Sequence, residues 1–189
     1  GNQLISKEAT GGKSVVVIEK GEPKSCNIVT SCEGKGKTFI MFSDDLDKAL
    51  ATFVLANGAA ATGQKVTIFF TFWGLNVIKK LHKPNVEKDI FGKMFGMMLP
   101  SSSRKLKLSK MSMGGIGGKM MRYIMNRKGI DSLESLRQQA LENGVEFIAC
   151  QMSMDVMGVK QEELLDEVTI GGVATYMERA DNANINLFI

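Results

Sequence analysis

The sequence predicts an α/β domain built on a mostly parallel sheet with helices on both faces. Three observations carry that expectation. The run at 38–42 (Thr-Phe-Ile-Met-Phe) is continuously apolar up to a polar stop, the signature of a strand covered on both faces, and 65–72 reads as a second buried strand. Between them Leu46, Leu50, Phe53 and Val54 recur at helical spacing. From residue 37 to the end, strand-like and helix-like segments alternate, which is the pattern of crossover connections between parallel strands.

Taken in order, residues 4–8 and 14–19 form two short extended runs joined at Thr10-Gly11-Gly12, a predicted hairpin. Residues 21–36 contain Gly21, Pro23 and Gly34 without any period and read as a linker. After the strand at 38–42, Ser43 is expected to cap a helix whose first turn holds Asp44, Asp45 and Asp47, acids that complement the helix dipole. Gly63 is expected to end that helix. The second strand, 65–72, leads into Trp73-Gly74-Leu75-Asn76, which opens a short helix running to about residue 81. A Met-, Gly- and Lys-rich insert then spans about 84–129, with Phe91, Met94, Phe95 and Met98 on one helical face and Met120, Met121, Ile124 and Met125 on another. Asp131, followed by Glu134, predicts an N-cap for a helix lined by Leu133, Leu136, Ala140 and Leu141 and closed at Asn143-Gly144. Residues 145–150 give the third strand and Ser153 a short turn or helix. Further helices are expected at 161–168 and 173–183, before a terminal strand at 185–189.

Composition narrows the function. A chain of 189 residues, 44% hydrophobic and 23% charged, is an ordinary folded domain, with no apolar run of the roughly 20 residues that spans a bilayer. No basic-then-apolar leader is present, so a reducing cytoplasm is expected, and Gly1 in the first position reads as the start of a piece of a longer protein. Three cysteines (Cys26, Cys32, Cys150) and one histidine (His82) predict neither a disulfide framework nor a metal site. The net charge of +4 is uneven: residues 79–128 hold thirteen Lys/Arg against Glu87 and Asp89, a local +11 that leaves −7 elsewhere.

Ligands of parallel sheets bind beyond the carboxyl ends of the strands. That rule selects Ser43 and Asp44 after the first strand, and Trp73 and Asn76 after the second. It also selects Cys150, Gln151, Ser153 and Asp155 at the third, and Gly171 and Gly172 near the end of the chain. Cys150 is the one nucleophile in this set whose chemistry stands out. At a strand end beside a helix start a thiolate can be stabilised and can accept a sulfane sulfur as a persulfide. Cysteine is also a common inert core residue, and position alone balances the two readings evenly. The edge location favours a functional thiol. Cys26 and Cys32, in the linker, read as incidental or as resolving thiols, and His82 as a solvated surface histidine.

Two further features exclude cofactor classes. Gly114–Gly118 lacks the preceding strand and the Lys-Ser/Thr of a phosphate loop and reads as a hinge. The first strand–helix turn is acidic and lacks the dinucleotide glycines, so no nicotinamide or flavin is expected, and no cofactor is implied. The basic Met-rich insert admits a nucleic-acid contact, an acidic membrane surface, or a lid or oligomer contact. Sparse aromatics disfavour the first, so no nucleic acid is expected as a partner.

The runs I-F-F-T-F-W-G-L-N at 68–76, M-G-G-I-G at 113–117, A-C-Q-M-S-M-D-V-M-G at 149–158 and E-E-L-L at 162–165 resemble the DsrE/DsrF-like proteins, in particular their soluble sulfur-reduction or peroxiredoxin-like branch. The resemblance covers about 37–189. It implies a three-layer flavodoxin-like fold, a homo-oligomer, and a cysteine, here Cys150, that takes up and passes on sulfur as a persulfide. The hairpin at 4–20 resembles the last strands of a TusA-like domain. That implies sulfur-carrier partners of TusA-like or rhodanese-like type, fused upstream. The expected organisation is therefore a hairpin at 1–20, a linker at 21–36 and a DsrE-like domain at 37–189. The expected function is that of a sulfurtransferase or persulfide carrier. The alternative is a non-catalytic oligomeric interaction module with Cys150 merely packed.

Overall fold

The computed structural model describes residues 5–9, 12–16, 36–81, 94, 98–110 and 116–189. Cys26, Cys32, His82, the linker and most of the helical face at 91–98 lie outside the described residues. The chain divides into two units, Gly1–Gly34 and Lys35–Ile189. In the first, β1 (Ile5–Ala9) pairs antiparallel with β2 (Gly12–Val16), from Ile5 opposite Val16 to Ala9 opposite Gly12.

The second unit holds a five-stranded sheet: β3 (Gly36–Met41), β4 (Val66–Phe70), β5 (Glu146–Cys150), β6 (Thr169–Gly171) and β7 (Ala183–Phe188). The strand order is β6-β5-β4-β3-β7, and every neighbouring pair is parallel. β4 sits in the middle, and all five of its residues are buried. A strand flanked on both edges and covered on both faces favours apolar residues throughout, and its one polar member, Thr67, is satisfied by Glu146 of β5.

Side chains alternate between the faces. Phe39, Met41, Ile68, Phe70, Phe147 and Ala149 form one core with α1 (Leu46–Ala61) and α3 (Leu133–Glu142). Phe53 of α1 packs its ring 5.8 Å from Phe147 and 6.4 Å from Phe70. The opposite face carries Phe69, Ile148 and Cys150, which pack with Tyr176 of α5 (Val173–Asp181). Also fully described are the helices α2 (Ile116–Arg127) in the insert and α4 (Gln151–Met157) directly after β5. The architecture is therefore helix, parallel sheet, helix, the three layers the sequence predicts.

Local details differ from expectation at four points. The first helix begins at Leu46 with Asp45 as its N-cap residue, so of the three acids only Asp47 lies in the first turn. Ser43 stands two residues earlier, where its hydroxyl accepts from the Asp45 N–H and donates to the Asp45 carboxylate. The N-cap of α3 is Ser132, whose hydroxyl accepts from the Ser135 N–H at 3.1 Å, while Asp131 accepts from the Ser135 hydroxyl. At 161–168 only a 3₁₀ turn, Gln161–Glu163, forms, and the chain continues into β6, a three-residue strand too short for a periodic signal. Gly117 and Gly118 are not a hinge but the first turn of α2; a Cβ on Gly118 would stand 3.0 Å from the Leu106 carbonyl oxygen.

Candidate functional site

The carboxyl ends of β3 and β4 and the helix that follows β5 meet the segment Thr71–Ile78, a 3₁₀ helix (Phe72–Ile78) with Thr71 before it. That segment stitches the strand ends together. The Thr71 N–H donates to the Met41 carbonyl at 3.1 Å, and the Gly74 N–H donates to Phe42 at 2.9 Å and to Thr71 at 3.0 Å. Gly74 lies so close to β3 that a Cβ there would fall 1.9 Å from the Met41 carbonyl oxygen. Phe72 adopts φ 47°, the left-handed region that side chains seldom occupy, so the turn is held against its own preference by these contacts.

Two groups of predicted residues gather there. In the first, Asn76 is fully buried and donates from Nδ2 to Asp44 Oδ2 at 3.0 Å. Among the described residues no donor reaches Asn76 Oδ1. Burial pushes the Asp44 carboxyl above its ordinary value, against the Asn76 hydrogen bond and with help from neighbouring Asp45. In the second, Cys150 ends β5 opposite Gly171 of β6. Gly171 packs tightly, since a Cβ on it would lie 2.9 Å from Ile148 Cγ2. Ser153 Oγ and Thr71 Oγ1 share a buried hydrogen bond of 2.8 Å, which ties α4 to the Thr71 segment. Gly172 is the N-cap residue of α5.

The remaining predicted residues stand apart. Gln151 and Asp155 bond to each other at 3.0 Å on the exposed side of α4. Trp73 is 46% exposed and touches Phe72 edge-on. Its ring ends an aromatic row that continues through Phe72 and Phe42 to Phe188.

Cys150 itself is 2% exposed. It belongs to the small cluster of Phe69, Ile148 and Tyr176, with Ile40 and Ala180 at the margin. The Tyr176 ring packs 5.2 Å from Phe69, and its hydroxyl meets Thr38 Oγ1 at 3.3 Å. Tyr176 and Thr71 are the residues that sequence reading misses. Tyr176 is one apolar position of a predicted helix, and nothing in the linear pattern says that it covers the thiol.

The chain matches the model of the DsrE/DsrF/DrsH-like family over residues 34–188. It belongs to that family. It is 44% identical over 155 residues to the uncharacterized protein YrkE of Bacillus subtilis, covering 82% of this chain and 97% of that one. It is 38% identical over 161 residues to the sulfur carrier protein DsrE2 of Allochromatium vinosum, covering 83% and 99%. The solved structure of the E. coli protein YchN aligns with a TM-score of 0.49 at 11% identity, over 82% of this chain and 99% of YchN.

In this family member the helix over the cysteine is pinned at its far end. Arg179 of α5 grips Glu146 at the start of β5, Nε to Oε2 at 2.9 Å and a terminal nitrogen to Oε1 at 3.2 Å. The Thr67 hydroxyl adds a donor at 2.9 Å. The Arg179 hydrogen bonds hold the Glu146 carboxyl below its ordinary value, against some desolvation. A carboxylate with a lowered folded pKa stabilises the fold above the unfolded value and loses that contribution as pH falls through the lowered one. Glu146→Gln should therefore reduce the denaturation midpoint slightly at neutral pH, the pair being half-exposed and screened. The gap between variant and parent should close as the pH is taken below the carboxylate range, and a gap that persists there would contradict this account.

Proposed function

We propose that this chain is a cytoplasmic sulfur carrier in which the Cys150 thiol receives a sulfane sulfur and hands it to another carrier protein. Support comes from the family, from the relative whose name is that of a sulfur carrier, and from one observation in particular: Cys150 is the last residue of β5, at the carboxyl edge where parallel sheets present their chemistry. In the step itself the Cys150 thiolate attacks the outer sulfur of a donor persulfide. A new S–S bond forms at Cys150 as the donor S–S bond breaks, and the donor leaves as its thiolate. The transferred sulfur then departs by the same exchange with an acceptor thiolate. The apolar edge strand β7, with Ile185, Leu187 and Phe188 exposed, supports assembly into a homo-oligomer.

Burial favours a second reading, in which Cys150 is a packed core residue of a non-catalytic module. Mass spectrometry separates them. After incubation with a low-molecular-weight persulfide donor, the Cys150 peptide should gain about 32 Da per sulfur, and a Cys150→Ser chain should gain none at that position. An unmodified Cys150 in the folded chain, with Cys26 and Cys32 as internal comparison, assigns the thiol to packing.

A further inference from the structure

Helix α2 has two apolar faces, and only one of them is covered. Gly117, Gly118 and Met125 are buried beneath it, next to Leu106. On the opposite side Ile116, Met120, Tyr123 and Ile124 follow the i, i+4, i+7, i+8 spacing of a single stripe. These four are 64%, 48%, 64% and 40% exposed. Such a stripe normally faces a core. Beside it Met120 and Ile124 border an apolar crevice of about 240 Å³ shared with Leu108 and Met121, so the apolar surface continues past the helix.

Apart from Asp47, which lines the crevice and accepts from Ser109, the charge around the stripe is positive. From Ile90 to Ile130 the sequence contains no Asp or Glu. Lys105, Lys107 and Lys110 are exposed on the segment that runs under or beside α2, and Lys119, Arg127 and Lys128 on the helix or its end. Among the described residues none of these six has an ion-pair partner. An exposed apolar stripe set among unpaired positive charges marks an interaction site that suits a surface apolar inside and anionic outside.

We infer that α2 docks on an anionic lipid bilayer surface. The helix lies in the interface plane, with Ile116, Met120, Tyr123 and Ile124 at the boundary of the acyl chains. The long Lys and Arg side chains reach back to the headgroups. A bilayer meets both requirements in the right order of depth, apolar inside and anionic outside. It asks for no matched acidic partners at fixed positions, and the one-sided charge offers no pattern that would select them. The contact is a surface one, since no helix among the described residues is long and apolar enough to cross a membrane.

Co-sedimentation of the whole chain with vesicles tests the inference. Vesicles of phosphatidylcholine with about 30% phosphatidylserine should bind roughly tenfold more chain than pure phosphatidylcholine vesicles, and binding should fall steeply as salt is raised. Lys119→Glu with Arg127→Glu should cut binding about tenfold. Met120→Ser with Tyr123→Ser and Ile124→Ser should cut it by a similar factor, about tenfold, through lost apolar area. All substituted side chains are exposed, and thermal melts matching the parent establish that each variant is folded. Equal binding to both vesicle types, no binding by the folded chain, or indifference to the serine substitutions would overturn the inference. Tighter binding to soluble poly-glutamate than to the vesicles, dependent on the same residues, would overturn it too and assign the stripe to an acidic protein.

Discussion

Gly74→Ala should cost this domain on the order of 3 kcal/mol or more, a large share of the roughly 5–15 kcal/mol that holds a typical domain folded. The added methyl carbon would lie 1.9 Å from the Met41 carbonyl oxygen and 2.7 Å from its carbon, and both atoms are backbone of a buried strand. Neither can give way, so the Thr71–Ile78 segment must separate from β3. Separation forfeits the Gly74 N–H bond to Phe42 and the Thr71 N–H bond to Met41, and displaces Asn76 from Asp44. Gly58→Ala makes the control. Gly58 is exposed in the interior of α1, a Cβ there meets nothing within 4 Å, and the change should stabilise by about 0.5–1 kcal/mol through helix propensity. Denaturant midpoints of the two variants should move in opposite directions. A Gly74→Ala chain as stable as its parent would mean that the strand ends are not stitched as described.

Tyr176→Ala carries the second large effect, and it bears on the thiol. Removing a buried aromatic from the small cluster should cost about 3 kcal/mol. Because that cluster is the cover over Cys150, the cost falls on local opening of α5 as well as on global unfolding. Alkylation of Cys150 in the folded chain should then accelerate roughly tenfold or more, each factor of ten corresponding to about 1.4 kcal/mol of opening free energy. Tyr176→Phe keeps the ring and loses only the contact of its hydroxyl with Thr38, so it should stay near the parental alkylation rate at a cost of about 1 kcal/mol. The comparison distinguishes a covered thiol from a buried one. If both variants alkylate at the parental rate, access to Cys150 does not pass through the α5 face.

These two variants act on opposite sides of the same structural fact. The Thr71–Ile78 segment fixes where the strand ends stand, and α5 decides whether the chemistry at one of them meets solvent. The thiol lies under a single helix that Arg179 and Glu146 hold at its far end; under the proposed function, lifting of that helix would be the step that opens Cys150 to a donor or acceptor.

The layers, the parallel sheet and the line of residues along its carboxyl edge are legible in the linear pattern. Mostly apolar runs at 38–42, 65–72 and 145–150 point to strands buried on both faces, and the periodic segments between them to crossover connections. Local signals were weaker where two acceptors competed, as at Ser43 against Asp45 and Asp131 against Ser132, because either residue can satisfy an N-terminal amide and only packing selects the register. β6 was invisible because three residues carry no period. The setting of Cys150 depends on the folded arrangement. Strand alternation places it on the face opposite Phe147 and Ala149, and which helix covers that face depends on the order of strands in the sheet. A linear pattern records that Tyr176 is on the inner side of a helix; it does not record that β6 and β7 lie at opposite edges, which carries α5 across the sheet and over the thiol.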